Sequence, residues 1–333
     1  MSAAPARSAV DDVFDLLLPP DIPAHAPVPH SAQPLSLSGR TMGTGWSLEA
    51  IAPRSVSSVR VEAVLARCFS CVIDQMSQWE SDSQISRYNS GAAGTRHGIG
   101  PQFRQVLDCA FAIQKASNGA FDPLLGPTSC AWGFGAETVD DPSEALASLS
   151  RSDGTSILTD DPAILLQPGG AALDLSGIAK GFAVDLALAS LDQLGIAHAL
   201  LDIGGELKAI GLRGDGLPWW VDLARPPLSA APATRIGLSG WAVATSGHWE
   251  RRRHAHGRSW SHTFDPVTNK PVNDTLSATV LHPGCMQADA LATALIVMGM
   301  EEGIRFTDRH KLPARIVGPD RLAESAAWRA WKA

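Results

Sequence analysis

Residues 198–212, HALLDIGGELKAIGL, read as an apolar strand, a two-glycine turn and a second strand. A two-residue link closes only a hairpin, because parallel neighbours need a crossover of a dozen or more residues. The same punctuation recurs along the chain. Met42-Gly43-Thr44 bends a strand-like run from Leu35 to Ala52, and RIGLSGWAVATSG (235–247) and HTFDPVTNKPV (262–272) add further strands and turns. Helical patterns stand between them, at about 55–79, at about 101–117, in the run after Ala171, and in QADALATALIVMG (287–299). Helices alternating with hairpin-linked strands predict an α+β fold with mixed, largely antiparallel sheets and packed helices, rather than a doubly wound parallel sheet. ESDSQISRYNSG reads as a polar loop, Val10 to Leu18 has room for one short helix, and short strands are expected at SILT and AILLQ within a loop-rich stretch from 140 to 172.

Composition limits the function classes. Apolar residues make up 45% and charged residues 18%, so most of the chain is expected to fold around a core. With 34 acids against 27 Lys and Arg, there is no basic footprint for nucleic acid. No apolar run is long enough to cross a bilayer, and the N-terminus lacks a signal-peptide pattern, which predicts a cytoplasmic protein as written and a periplasmic one if the native N-terminus differs. Residues 1–34 are rich in Pro and Ala and read as a flexible leader; residues 35–333 read as one domain, with two subdomains left open. The five cysteines are scattered, and Cys68-Phe-Ser-Cys71 lies on a helical pattern that favours two core-facing residues over a redox pair.

Chemistry-bearing residues gather at turns beside apolar strands. In LDLSGIAKG, Asp174 ends an expected strand, Gly177 permits close backbone approach, and Lys180 falls in the first turn of the next helix, where phosphate oxygens bind well. A plain strand-to-helix turn with a solvated lysine fits equally. Asp122 is tied into a turn between Phe121 and Pro123, and His262 and Asp265 flank Thr263-Phe264. Glu206 follows the Gly204-Gly205 turn and on its own reads as part of a tight hairpin. Asp289 and Thr293 stand four apart, on one helix face. Taken alone they read as a first-turn acid favoured by the helix dipole and a Thr bonding to its own backbone.

Together, TMGTGWSLE, MSQWESDSQISRYN, GAFDPLLGP, LDLSGIAKGFAVD, DIGGELKAIG, ATSGHWERR, SHTFDPVTNKPV and CMQADALATALIVMG resemble, in order, the motifs of the ApbE family, the FAD:protein FMN transferases. The resemblance runs from about Arg40 to Gly299 and implies an ApbE-like, T-fold-like architecture with FAD as substrate. It implies Mg2+-dependent transfer of FMN to a Ser or Thr hydroxyl of an acceptor protein, with release of AMP. The implied metal ligands are Gly177, through its carbonyl, Asp289 and Thr293. The implied flavin contacts are Met42, Trp79, Ala120, Phe121, Asp122, Asp174, Lys180 and the Thr263-Phe264 pair, and His262 is the implied base. The chain departs from the family at Gly177, where Ala is common, at Trp79, where Tyr is common, at Leu124-Leu125, and at His248. Two alternatives stay open: an FAD pyrophosphatase yielding FMN and AMP, and a non-catalytic FAD-binding protein. No clear flavinylation motif is present, so the acceptor is expected to be another protein.

Overall fold

The structure, a computed structural model, describes residues 14–22, 25, 27–28, 32–136, 154–227, 229, 231–248, 252–255 and 258–333. Expectations placed on residues 10–13 and 140–153 and on Arg251 lie outside that set. Chain order begins β1 (Phe14–Leu17), β2 (Ala32–Thr41), β3 (Thr44–Pro53), α1 (Ser58–Met76), α2 (Gln84–Asn89), β4 (Arg96–Gly98), α3 (Pro101–Ala116) and α4 (Gly126–Ala131). After it come β5 (Ile164–Leu166), α5 (Ala179–Asp192), β6 (Ala199–Ile203), β7 (Glu206–Ile210), β8 (Trp219–Asp222), β9 (Ala233–Leu238) and β10 (Ala242–Gly247). The last third holds β11 (Arg252–Ala255), β12 (Arg258–Ser261), β13 (Phe264–Asp265), β14 (Lys270–Pro271), β15 (Ser277–His282), α6 (Cys285–His310), β16 (Ala314–Val317), β17 (Leu322–Glu324) and α7 (Ala326–Arg329).

Eight strands form one sheet in the order β17-β16-β15-β10-β7-β6-β3-β2, and every neighbouring pair is antiparallel. Side chains alternate across it. Ala242 and Ala278 face a core shared with α1, α5 and α6, whereas Val243 and Leu281 face the opposite side. That opposite side is covered by a three-stranded sheet, β1-β9-β8, together with Trp328 and Trp331. The α+β architecture with mixed, largely antiparallel sheets is therefore what the hairpin chemistry predicted.

Two hairpin tips carry the argument toward the site. Thr41 pairs with Thr44 and Ile203 with Glu206, leaving Met42-Gly43 and Gly204-Gly205 as two-residue turns with φ of 46° and 74°, and of 65° and 98°. Such positive φ pairs match the right-handed twist of hairpin strands. A Cβ on Gly204 would lie 2.7 Å from the Thr44 side chain, and the Gly204 N–H donates to Gly45 O at 3.0 Å, so the tips lie side by side. Met42 holds a left-handed backbone without being glycine, a cost that a functional position sustains.

Four local expectations change. Phe14–Leu17 is a strand, parallel to β9 with Leu17 fully buried, where a helix had room, so part of the Pro/Ala-rich stretch is built into the fold. The polar run after Trp79 contains α2, capped by Ser83 and anchored by buried Ile85 and Tyr88. SILT opens in a short 3-10 turn, Gly154–Ile157, followed by a single bridge from Leu158 to Leu165. Finally, residues 171–175 join no ladder; the Asn89 amide takes the place of a neighbouring strand, donating to Leu173 O at 2.9 Å and accepting from its N–H at 2.8 Å. All five cysteines are free thiols, Cys68 donating to Ser190 and Cys71 accepting from Gln75.

Candidate active site

The hairpin tips, the turn into α5 and the middle of α6 enclose a cleft of about 330 Å³. Every residue expected at the site except Trp79 lines it: Met42, Ala120, Phe121, Asp122, Asp174, Gly177, Lys180, His262, Thr263, Phe264, Asp289 and Thr293. Trp79 stands 55% exposed over an adjoining cavity of about 700 Å³, which shares Met42, Gly43, Ser176 and Lys180 with the cleft.

The cleft floor concentrates charge. Lys180, in the first turn of α5, ion-pairs with Glu206, which begins β7 directly after the Gly204-Gly205 turn. Asp289 is 4% exposed and accepts the Gly181 N–H at 3.0 Å, so its carboxylate occupies the N-terminus of α5. This corrects the reading of Asp289 as a first-turn acid of its own helix. Helix α6 starts at Cys285, and its Met286 N–H is instead capped by Asp185 of α5 at 2.9 Å. Burial pushes the Asp289 carboxyl upward, against the pull of Lys180 and the Gly181 N–H. Burial also raises Glu206, to about 8, opposed by Lys180 and reinforced by the charge of Asp289. Two buried acids thus lean on a single lysine.

Gly177 and Thr293 meet beside them. A Cβ on Gly177 would lie 2.9 Å from Thr293 Oγ1, so glycine lets the turn backbone approach the helix closely. Thr293 Oγ1 in turn lies 3.1 Å from Ser246 Oγ of β10, a hydrogen bond across to the sheet. The Gly177 carbonyl, the Asp289 carboxylate and the Thr293 hydroxyl border the same cleft, and oxygen groups of these kinds could hold a hard divalent cation. Among the described residues, no group of three or more His, Cys, Asp or Glu is placed to hold a metal ion.

The remaining walls are held by hydrogen bonds. Asp122 accepts from Gln114 Nε2 at 2.8 Å and from the Leu124 N–H at 2.9 Å. Asp174 accepts from Ser129 Oγ and Ser176 Oγ, each at 2.6 Å, and its own N–H donates to Pro123 O at 2.9 Å, which ties the two acid turns together. The His262 ring packs against Phe134 at 6.0 Å and edge-to-face with His248 at 6.4 Å. His248 is 1% exposed with neither ring nitrogen hydrogen-bonded, and burial lowers its pKa to about 4, with the positive charges of His262 and Arg252 adding to the effect.

Sequence reasoning gave no site role to Glu206, Ser129, Ser246 or Phe134. Glu206 had a signal, an acid opening an otherwise apolar strand; the serines had none, since each acts through a neighbour distant in sequence. No helix among the described residues is long and apolar enough to cross a membrane.

The ApbE family matches residues 42–316. A FAD:protein FMN transferase of Vibrio cholerae is 32% identical over 300 residues, spanning 86% of this chain and 88% of its own length. A FAD:protein FMN transferase of Haemophilus influenzae is also 32% identical, over 85% of this chain and 86% of its own length. The solved structure of the flavin transferase ApbE from Vibrio cholerae superposes with a TM-score of 0.80 at 29% identity, covering 90% of this chain and 99% of that one.

Proposed function

The chain belongs to the ApbE family, and from that premise we propose that it transfers FMN from FAD to a Ser or Thr hydroxyl of an acceptor flavoprotein, with Mg2+ and with release of AMP. The observation that carries the residue-level reading is the meeting of Gly177, Asp289, Thr293, Lys180 and His262 in one cleft.

The reaction forms a P–O bond between the acceptor oxygen and the FMN phosphorus and breaks the bond from that phosphorus to the oxygen leaving with AMP. Such a step needs mainly positioning and relief of charge. Lys180 meets the phosphate oxygens where the two halves of FAD join, a role supported by its lining both the main cleft and the cavity under Trp79. Met42, Ala120, Phe121, Asp122, Asp174 and the Thr263-Phe264 pair shape the pocket around FAD, and Trp79 offers an aromatic face to its ring. His262 accepts the proton of the acceptor hydroxyl, the role an imidazole fills most often among side-chain bases. Gly177 O, Asp289 and Thr293 Oγ1 would hold Mg2+, which when bound supplies charge neutralisation to the pyrophosphate.

The test is incubation with FAD and Mg2+, with and without a flavoprotein acceptor, read as covalent flavin fluorescence on a denaturing gel and as AMP released. The expected outcome is acceptor-dependent labelling matched by AMP, both slowed ~100- to 10,000-fold in His262→Ala. Free FMN and AMP without labelling would assign the cleft to hydrolysis instead, and full transfer by His262→Ala would remove that residue from the base role.

A further inference from the structure

Phe134 touches both halves of the site and has no role in the steps above. It lies just past α4 in Trp132-Gly133-Phe134-Gly135, a loop pinned from several directions. The Phe134 N–H donates to Ser129 O at 2.8 Å and the Gly133 N–H to Cys130 O at 2.9 Å. Trp132 Nε1 donates to Asn269 O at 2.8 Å, and Trp260 Nε1 donates to Trp132 O at 3.2 Å. Gly133 sits at φ +77°, a backbone that glycine favours, and a Cβ on Gly135 would meet Cys130 Sγ at 2.2 Å. These bonds and glycines hold the Phe134 backbone in place beside His262.

That ring contacts His262 at 6.0 Å between centroids and Phe264 at 5.9 Å, both tilted, and it also forms part of the wall of the cavity over which Trp79 stands. We propose that Phe134 is a positioning residue, which sets the His262 imidazole on one side while bearing on a planar ring seated beside Trp79 on the other. The inference rests on the transferase reading of His262. Seating the flavin then packs the same ring that orients the base, so alignment tightens when substrate is present. A displaced base is costly, because about 1 Å of misplacement can lower a rate ~100-fold.

The experiment compares wild type with Phe134→Ala, Phe134→Tyr, His262→Ala and the Phe134→Ala/His262→Ala double variant. It measures kcat and KM for FAD in Mg2+-dependent transfer to a flavoprotein acceptor, and FAD affinity by flavin fluorescence. Phe134→Leu, checked by thermal melting, replaces Phe134→Ala if the latter does not fold. The expected result for Phe134→Ala is a kcat lowered ~30-fold with FAD affinity within ~5-fold of wild type, and a kcat restored to within ~2-fold in Phe134→Tyr. On the His262→Ala background, removing Phe134 costs less than ~2-fold more, because both changes disable one unit. A raised KM with unchanged kcat, equal loss in Phe134→Tyr, or full additivity in the double variant overturns the inference and leaves the transferase reading in place. A wild type that transfers nothing overturns both.

Discussion

Two groups of partly or fully buried charges sit on opposite sides of the main sheet, and their balances differ. Behind the three-stranded sheet, Lys332 Nζ lies 3.0 Å from Asp15 and 2.9 Å from Glu324, while Arg315, 2% exposed, donates to Thr234 Oγ1 at 2.7 Å and stacks over Trp328. The charges of Asp15 and Glu324 also reach Arg315, so two acids meet two bases. In the cleft, among the described residues, Glu206 and Asp289 share the charge of Lys180, and the partly buried Asp202 adds a third acid. Burying charge is tolerated only where it is paired and hydrogen-bonded. The balanced group holds as many bases as acids, and the backbone beside it joins β1 to the C-terminal residues, the Leu18 N–H donating to Trp331 O and the Ala333 N–H to Leu16 O. The acid-rich group carries more acids than bases among the described residues, a balance that suits the divalent cation and pyrophosphate proposed for it.

Neutralising one acid of the cleft should break function without breaking the fold. Asp289→Asn keeps an oxygen that can accept the Gly181 N–H but removes a metal-binding charge. The Mg2+-dependent rate is expected to fall ~1000-fold, on the scale of losing a major charge-stabilising group. The thermal midpoint should hold or rise, since Glu206 loses a buried neighbour of its own sign. Transfer within tenfold of wild type would show that the surplus acid charge does not hold the cation.

The mirror experiment is Arg315→Met on the balanced side. Losing the Arg315 hydrogen bond to Thr234 and its charge near Asp15 and Glu324 should lower unfolding free energy by about 2 kcal/mol, the scale of a lost charge-assisted hydrogen bond, measured by denaturant titration. At a temperature where the variant is folded, turnover should stay within ~2-fold of wild type. If turnover fell with little loss of stability, the two groups would not be separable into structural and functional ones.

What the sequence showed and what it hid follow from how far each signal reaches. Hairpins were legible because a two-glycine turn is a local statement, and Gly204-Gly205 and Met42-Gly43 read as turns without knowledge of their partners. The LDLSG stretch was misread as a strand because its backbone is paired by the Asn89 side chain, 84 residues away. Helix α2 was hidden because its polar residues outnumber the buried pair, Ile85 and Tyr88, that anchors it. At the site, the DALAT and GIAK residues came through the family resemblance, and the cleft brings them together. The role of Asp289 at the tip of a different helix was not readable, since it depends on how α5 and α6 pack. His248 was visible only as a departure from the family pattern; its burial against His262 needed the fold.

His248 tests the comparison through pH. Its pKa is lowered from 6.5 to about 4, chiefly by burial, so it is neutral in the folded protein and becomes charged more readily when unfolded. The sign is then fixed: its contribution is complete above about pH 6.5 and is lost as pH falls through about 4. The displacement corresponds to about 3 kcal/mol. Denaturant titrations from pH 7 to pH 4 should show wild type losing about that much more stability than His248→Asn. Equal losses in the two proteins would mean that the imidazole is solvated or hydrogen-bonded on acidification, and the acid sensitivity would belong to the carboxylate groups instead.

The smallest effect belongs to Trp79, which is outside both charge groups. It is exposed and joins the cleft only through the cavity bounded by Met42, Gly43, Ser176 and Lys180. An aromatic face stacking on a planar ring contributes about 0.5–1.5 kcal/mol beyond the area it buries. Trp79→Ala should therefore weaken FAD binding ~10-fold at most, and Trp79→Tyr should stay within ~3-fold. The Mg2+ concentration giving half-maximal rate should not move in either variant, because neither touches Asp289 or Thr293. Asp289→Asn should do the reverse, shifting the Mg2+ response while flavin fluorescence still reports FAD seated beside Trp79. If Trp79→Ala altered the Mg2+ response as well, the ring cavity and the charged cleft would act as one site rather than two joined ones, and Lys180, which borders both, would be the residue through which they communicate.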